Sequence, residues 1–227
     1  MTGTGFRIFH KIERPKQNLV ESFRNIPTPN IADVMNRFFC VDAEIKPFNN
    51  NKLLGTAFTV KSRTADNLMF HKALDLAEPG DVIIVDVQGD KINAVTGEIM
   101  MRYAMKKGIS GFIIDGAIRD TGAVKNLSNF SVYARGVTPR GPYKDGPGEI
   151  NVPINCGGVT VYPGDIIVGD EDGVVIINPN KAEIILEKAK DKMEQEIEKF
   201  KKIEEGTMDR TWIDEKLRSK GCKFIFD

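Results

Sequence analysis

Apolar positions along the chain alternate between continuous runs and runs at helical spacing. EPGDVIIVDV (78–87) is a turn followed by a continuous apolar run, and GFIIDGAIRD (111–120) is a second such run that ends in polar residues. Both are typical of strands buried on both faces. Between them, Gly97 precedes EIMMRYAMKK, whose apolar spacing predicts a helix that Gly108 ends. This order predicts a right-handed crossover between parallel strands.

Further elements flank this unit. Pro27 and Pro29 separate two short helices, and Asn30 is predicted to cap the second, IADVMNRFF. Asp66 is placed to cap another helix, NLMFHKALDLA, in which His71 is predicted to be a packing residue. The glycine- and proline-rich loop GPYKDGPG (141–148) either covers a site or is an ordinary surface loop. Three more segments have the composition of strands: 53–62, 131–137 and 159–178.

The last part of the chain changes character. From Lys181 to about Glu205 it has the pattern of a charged amphipathic helix. Its polar face carries both signs of charge, which favours packing on the parent domain or a neighbouring subunit over a membrane surface. We therefore predict an α/β fold in a single domain, 1–227, with a core at about 25–180 and a helical extension at about 181–227. The apolar stripe consists of Ile184, Ile185, Ala189, Met193, Ile197 and Phe200.

One short pattern occurs twice. YPGDIIVGD repeats the arrangement of EPGDVIIVD about 84 residues further along the chain, and in both a proline–glycine turn places an aspartate before an apolar strand. The PGD triplet makes a good tight turn in any protein. The repetition is therefore either a common turn used twice or an internal structural pseudo-repeat.

Composition limits the classes of function. Lys plus Arg and Asp plus Glu number 32 each in 227 residues, so no net charge draws the protein to nucleic acid or a membrane. The sequence shows no signal-peptide pattern, and none of its uncharged stretches approaches the roughly 20 residues needed to span a bilayer. We therefore expect a cytoplasmic protein. The three cysteines, Cys40, Cys156 and Cys222, are odd in number and far apart in the sequence. We therefore predict that they are reduced thiols. With only His10 and His71, any metal would have oxygen ligands, which favours magnesium or manganese.

The candidate chemistry lies on either side of the crossover. Gly97 and Glu98 open the helix, and Arg119 and Asp120 end the next strand, so both pairs are expected at the carboxyl edge of the sheet. Ligands of open α/β sheets bind at that edge. The backbone N–H groups of residues 99–101 are predicted to be free at the helix start, where they would suit a carboxylate.

These residue types favour chemistry in which an enolate develops. Arg119 supplies a permanent cation with a planar fork, while Asp120 and Glu98 supply hard oxygen ligands for a divalent ion. Arg119 would stabilise the negative charge that grows on the enolate oxygen. The alternative from the residues alone is structural: Arg119–Asp120 closes a loop as an ion pair, and Glu98 is favoured by the helix dipole.

Three stretches carry a resemblance to a known family. GTAFTVKSRTADNLMFHKALDLAEPGDVIIVD, GEIMMRYAMKKGISGFIIDGAIRD and PGDIIVGDEDGVVIIN resemble the regulator of ribonuclease activity A and the class II 4-hydroxy-4-methyl-2-oxoglutarate aldolases, over roughly residues 25–205. The resemblance implies a swivelling β/β/α-type fold with layered sheets and flanking helices. It also implies a metal-dependent lyase that cleaves 4-hydroxy-2-oxo acids to pyruvate or decarboxylates oxaloacetate. The alternative is a non-catalytic regulator that binds and inhibits an endoribonuclease.

The resemblance also implies roles for single residues. The aldolases have an acidic residue, twenty intervening residues and then Arg–Asp, and here Glu98 and Arg119–Asp120 keep that spacing. By resemblance, Asp120 anchors Mg²⁺ or Mn²⁺, and Glu98 contributes through a water molecule. Arg119 contacts the pyruvate-like part of the substrate, and the amides of Ile99 and Met100 hold its carboxylate.

The resemblance further implies a homo-oligomer, a trimer or a hexamer, with the site between subunits. Asp33 and Glu196 of the neighbour are the best-matching acidic residues that would complete it. The small-molecule partner would be a 2-oxo acid. This chain has Ala123 where some aldolases have a further acidic residue, which leaves the aldol substrate open. Oxaloacetate decarboxylation does not need that residue.

Overall fold

A mixed β-sheet with the order β1-β7-β3-β4-β5-β6-β2 dominates the computed structural model, which describes residues 3–226. Strands β10 and β11 join this sheet beside β3, and β8 pairs with β9 as a separate hairpin. The strands are β1 Phe6–Ile8, β2 Lys46–Pro47, β3 Leu53–Ser62, β4 Asp81–Thr96, β5 Gly111–Ile118, β6 Ser131–Val137, β7 Gly148–Ile150, β8 Ile154–Cys156, β9 Val159–Val161, β10 Ile166–Asp170 and β11 Gly173–Ile177.

Helices lie between and after these strands. A 3₁₀ turn at Pro179–Lys181 leads into the longest of them, α6. The helices are α1 Gln17–Glu21, α2 Thr28–Val34, α3 Leu68–Leu76, α4 Glu98–Lys106, α5 Thr121–Val124, α6 Ala182–Glu204 and α7 Thr211–Ser219.

The predicted crossover is confirmed. β3, β4, β5 and β6 are parallel neighbours, and α4 connects β4 to β5. Gly97 is the N-cap of α4, and Gly108 follows its end with φ +79°, a conformation that suits glycine. As a result, the end of β5 and the beginning of α4 lie at the same edge of the sheet.

The two faces of the sheet are covered differently. Ile83 and Val85 face α3 and α4, while Val82 and Ile84 face the β8–β9 hairpin. A third apolar cluster joins α2 and α6 to β10 and β11. Since strand side chains alternate between faces, the continuous apolar run of β4 serves two layers at once. The prediction of an α/β fold with layered sheet, flanking helices and a C-terminal helix is confirmed.

Both predicted helix caps differ from those in the structure. The prediction that Asn30 caps the second short helix is wrong: α2 begins at Thr28, directly after Pro27, and Pro29 lies in its first turn. Proline fits there because the first helical N–H groups have no partner within the helix. The N-cap of α3 is Asn67 and not Asp66, although Asp66, one residue earlier, accepts a hydrogen bond from the N–H of Leu68 at 2.9 Å.

Strand β4 is longer than the sequence predicts. It continues past residue 87 to Thr96, with shifts in its register against β5 after Asp86, after Asp90 and after Ala94. Gln88 and Gly89 both have positive φ, 59° and 73°, at the first of these irregularities. Such bulges change the direction in which the following side chains point.

The apolar stripe of α6 is buried only in part, and Ile184, which was predicted to belong to it, is 54% exposed at the start of the helix. Ile185 and Ala189 are buried in the cluster shared with α2, and Met193 packs against it. Ile197 and Phe200, further along the helix, are each 60% exposed. Within residues 3–226, none of the helices combines the length and the apolar character that crossing a membrane requires.

Candidate functional site

A cavity of about 180 Å³ opens at the carboxyl edge of the sheet, where β4 and β5 end and α4 begins. The residues that the sequence singles out line it together with α3 and the loop after β6, which passes close to the Arg119 side chain at Gly141. The lining residues are Asn67, His71, Ala94, Val95, Thr96, Gly97, Ile99, Met100, Arg119, Asp120, Pro142 and Lys144.

Asp120 occupies a special backbone position directly after β5. Its φ of 61° and ψ of 35° are left-handed, which costs free energy for any residue with a Cβ and places the side chain at the cavity. Its Oδ2 accepts a hydrogen bond from the N–H of Glu98 at 3.0 Å. The Nε of Arg119 lies 3.7 Å from the same oxygen. The structure therefore brings together the strand-end pair and the helix start.

Gly97 is the point of closest approach between the two elements. A Cβ built at this position would lie 2.3 Å from Oδ2 of Asp120 and 2.9 Å from Cγ of Arg119. Its backbone is extended, with φ −157°, so the restriction comes from space and not from conformation. Only a residue without a side chain lets Asp120 reach the N–H of Glu98.

Glu98 is held away from Asp120 by a neighbour on its own helix. Its Oε1 accepts a hydrogen bond of 2.6 Å from Nε of Arg102, and its side chain is 37% exposed. The spacing of four residues places both side chains on the same face of α4. In this conformation Glu98 contributes its backbone N–H to the site.

The start of α4 has fewer free N–H groups than predicted. Ile99 and Met100 both line the cavity, as expected from their place in the first turn. The expectation for Met101 is wrong, because its N–H already donates to the carbonyl oxygen of Gly97 at 3.2 Å. This is the first regular hydrogen bond of the helix, and it removes Met101 from the set of donors for a ligand.

The cavity lining also contains residues that sequence reasoning missed. His71, predicted to be a packing residue, lines the cavity together with Asn67 and Lys144. Burial lowers the pKa of His71, and the nearby ammonium of Lys144 lowers it further, so the imidazole is neutral at pH 7. A histidine in the first turns of a helix that follows an aspartate could have suggested this position.

Asp33 lies on α2 and Glu196 on α6, and neither lines this cavity. Asp33 contacts Nζ of Lys192 at 3.0 Å and Nη2 of Arg37 at 2.8 Å. The hydrogen bond from Lys192 lowers the pKa of Asp33 despite slight desolvation, and the Arg37 charge adds to this. Glu196 accepts a hydrogen bond of 2.7 Å from Asn30. Both carboxylates are thus held in place by partners within the same chain.

Within residues 3–226, no three His, Cys, Asp or Glu side chains come close enough together to form a metal site in a single chain. Asp120 is the one carboxylate among the residues lining the cavity. Magnesium commonly binds through one or two carboxylates and retains several waters. A single carboxylate that is 44% exposed fits an ion of that kind.

The fold and the cavity define a layered α/β protein with a helix start, an arginine and a carboxylate at one edge of its sheet. The family model described as RraA-like, Aldolase/RraA, matches residues 28–176. The chain belongs to this RraA-like family.

A sequence relative and two solved structures are similar to most of the chain. A Halalkalibacterium halodurans protein, whose name assigns it provisionally to the 4-hydroxy-4-methyl-2-oxoglutarate aldolases, is 43% identical over 192 residues, 84% of this chain and 91% of its own. An uncharacterised Pseudomonas syringae protein has the same fold, with a TM-score of 0.78 at 24% identity, covering 87% of this chain and 93% of that one. Streptomyces coelicolor RraAS2, an unusual member of the RNase ES inhibitor RraA family, has a TM-score of 0.73 at 28% identity, covering 82% and 97%.

Proposed function

We propose that this protein is a divalent-metal-dependent carbon–carbon lyase that releases pyruvate from 4-hydroxy-2-oxo acids, decarboxylates oxaloacetate, or does both. The observation that carries the proposal is the contact between Asp120 and the start of α4, with Arg119 beside it, at the mouth of a cavity. The 43% identity to the relative named for 4-hydroxy-4-methyl-2-oxoglutarate aldolase activity supports the same reaction class.

Asp120 would hold the metal ion, Mg²⁺ or Mn²⁺, and Glu98 would contribute through a water molecule. When bound, the ion supplies Lewis acidity toward the oxygens of the 2-oxo acid. Oδ2 of Asp120 already accepts from the N–H of Glu98, which fixes the orientation of the carboxylate before any ligand arrives. Hydrogen bonds that orient a metal ligand commonly raise the affinity of its site.

The chain's own groups would act on the organic part of the substrate. The N–H groups of Ile99 and Met100, at the positive end of the α4 dipole, would bind the carboxylate next to the ketone. Arg119 would stabilise the negative charge that develops on the ketone oxygen as the carbon–carbon bond breaks. Lys144, which also lines the cavity, would supply positive charge for a second anionic group of the substrate.

We further propose that the working unit is a homotrimer or a hexamer, and that the neighbour's Asp33 and Glu196 complete the site. Each chain carries these two carboxylates on α2 and α6, outside its own cavity. A one-carboxylate site within a single chain fits such an arrangement, because the remaining acidic groups would come from the adjacent copy.

A pyruvate-release assay coupled to lactate dehydrogenase tests the proposal. Several 4-hydroxy-2-oxo acids and oxaloacetate would be compared with Mg²⁺, with Mn²⁺ and with a chelator. We expect metal-stimulated release that Asp120→Ala reduces by at least a hundredfold, while Asp172→Ala, at the exposed β10–β11 turn, retains wild-type turnover. A folded Asp120→Ala protein with full metal-stimulated turnover would refute the proposal.

The second candidate is a regulator that inhibits an endoribonuclease by direct contact. The likeness to Streptomyces coelicolor RraAS2 favours it, since that protein is described as a member of an RNase inhibitor family. A pull-down with the ribonuclease, run beside the pyruvate assay, separates the two. Binding without pyruvate release would favour the regulator.

A further inference from the structure

Asp66 is a fully buried carboxylate, 0% exposed, in the loop between β3 and α3. Its Oδ1 accepts a hydrogen bond from the N–H of Leu68 at 2.9 Å. Its Oδ2 accepts two backbone hydrogen bonds, from the N–H of Asp145 at 2.7 Å and from the N–H of Gly146 at 3.0 Å, and a side-chain one from Nη2 of Arg63 at 3.3 Å. A single side chain therefore joins the first turn of α3 to the loop after β6.

These two segments form one wall of the candidate cavity. The start of α3 carries Asn67 and His71, and the loop carries Lys144, the residue directly before one of the donors to Asp66. Backbone hydrogen bonds continue the junction: the N–H of Tyr143 donates to Ala65 at 2.7 Å, and the N–H of Asn67 donates to Tyr143 at 3.1 Å.

Burying a charge without partners is costly, so a fully buried carboxylate persists where its surroundings stabilise it. Although burial by itself raises the pKa of Asp66, the three backbone N–H donors and the charge of Arg63 hold that pKa below its ordinary value. Asp66 is therefore ionised at neutral pH, and its charge strengthens each of these hydrogen bonds.

The loop needs such an anchor because of its composition. Residues 141–148 contain three glycines and two prolines, and the side chains of Lys144 and Asp145 are exposed. Without a fixed point, the Lys144 ammonium would sample many positions, because the lysine side chain is long and flexible. Binding groups held in place lose less conformational entropy when a ligand arrives.

We propose that Asp66 is a positioning residue that holds Lys144 over the cavity, where its ammonium binds the second carboxylate of a dicarboxylic 2-oxo acid. This inference rests on the proposed function. Asp66 does not touch the substrate; it acts through the loop. Its loss should weaken binding of dicarboxylate substrates and leave the reacting end, at Arg119 and Asp120, unchanged.

The first test uses Asp66→Ser. A serine hydroxyl can still cap the N–H of Leu68 but is too short to reach the loop. We expect the KM for 4-hydroxy-4-methyl-2-oxoglutarate to rise about tenfold with kcat within twofold of wild type. The KM for 4-hydroxy-2-oxopentanoate, which has one carboxylate, should not change. The matched control is Asp209→Ser, which makes the same substitution at an aspartate that accepts the N–H of Thr211 at 2.9 Å and does not line the cavity, and it should change neither KM.

The second test is a double-mutant cycle with Lys144→Ala. If Asp66 acts through Lys144, then Asp66→Ser causes no further rise in KM when Lys144 is already absent. A purely structural role for Asp66 would instead give losses that multiply. Either multiplicative losses or a Lys144→Ala protein with wild-type KM for the dicarboxylate would overturn the inference.

A measurement on the wild-type protein covers the case in which Asp66→Ser does not fold. Residue-resolved hydrogen exchange should show the amides of Asp145 and Gly146 exchanging at least tenfold more slowly than the amide of Lys144. Equal exchange rates at the three amides would contradict the anchor. If the wild-type protein released no pyruvate, the proposed function would be refuted. The exchange rates would still show whether Asp66 anchors the loop.

Discussion

The backbone N–H of Glu98 donates a 3.0 Å hydrogen bond to Oδ2 of Asp120, which joins the first residue of α4 to the residue that follows β5 and Arg119. Because the donor is a backbone group, the contact does not depend on the side chain at position 98. It orients the one carboxylate that lines the cavity.

Gly97→Ala should reduce activity strongly while changing the stability of the fold little. The new Cβ would lie 2.3 Å from Oδ2 of Asp120, so the carboxylate must move away from the N–H of Glu98. The extended backbone at position 97 accepts alanine without strain. We expect pyruvate release to fall at least a hundredfold with a change in unfolding free energy of about 1 kcal/mol or less, measured by urea denaturation.

The matched control is Gly122→Ala, two residues after Asp120. A Cβ there meets no atom within 4 Å, so both activity and stability should stay close to wild type. If both glycine variants lost activity equally, the space at Gly97 would not be the cause.

Glu98 and Arg102 should differ in their effect on metal activation. Their hydrogen bond of 2.6 Å joins two partly exposed side chains and contributes little to stability. If Glu98 contributes to the ion through water, Glu98→Gln should raise the manganese concentration for half-maximal activation by about 10–100-fold. Arg102→Ala releases the carboxylate and should change that concentration less than threefold; the reverse order of effects would remove Glu98 from the metal site.

Asp165→Asn should make stability less dependent on pH. Burial raises the pKa of Asp165 to about 6, and none of the described residues forms an ion pair with it. A raised pKa means that the folded state favours the neutral acid. The stability that this group contributes is complete below about pH 4 and is lost as the pH rises through about 6. Relative to wild type, the asparagine variant should gain on the order of 2–3 kcal/mol between pH 4 and pH 8 in urea titrations.

Asp81, in the matching turn before β4, is the comparison. In both turns the aspartate Oδ2 accepts an N–H from three residues earlier at 2.8 Å, from Glu78 and from Tyr162. Asp81 also accepts two hydrogen bonds from the Arg14 guanidinium, from Nε to Oδ1 at 2.9 Å and from Nη2 to Oδ2 at 2.8 Å. Asp81→Asn should therefore lower the unfolding free energy at pH 8 relative to wild type, because it removes the charge that pairs with Arg14. Asp165→Asn should have the opposite effect, since its unfolding free energy relative to wild type rises between pH 4 and pH 8.

Phe112→Ala should cause a large loss of stability. Phe112 is fully buried and contacts Phe70 and Phe130 edge to face, with 4.9 Å between ring centroids in each pair. Removing the ring leaves a cavity and two aromatic contacts unmade, which typically costs about 3–5 kcal/mol. Phe38→Ala, at a side chain that is 78% exposed, should change the unfolding free energy by less than about 0.5 kcal/mol.

The central strands and the helix between them follow directly from the sequence, because burial on both faces requires a continuous apolar run. The same order of elements places Glu98, Arg119 and Asp120 at one edge of the sheet. Their closeness could be predicted because it depends on a single crossover. The length of β4 could not be predicted in the same way. Apolar and polar residues alternate irregularly in its later part, and its bulges depend on pairing with β5.

The sequence indicated only one part of the remaining cavity lining: the loop 141–148, considered as a possible cover for the site, contributes Pro142 and Lys144. His71 and Lys144 are distant in the chain and are common residue types on helices and loops. Their meeting depends on the Asp66 junction, which no local pattern contains. The start of α2 was misjudged for a similar reason: Asn30 is a good capping residue, but Pro27 and Pro29 suit an earlier start in which Asn30 lies inside the helix.

The irregular stretch of β4 constrains how this chain can change in length. Between the pair Asp86–Asp115 and the pair Thr96–Ile118, β4 uses many more residues than β5. The surplus residues are accommodated in the irregular steps, so a change in length there does not have to alter the pairing of Thr96 with Ile118. Natural or engineered deletions in 87–93 should therefore be tolerated as long as that pairing, and with it the place of Gly97 beside Asp120, is kept.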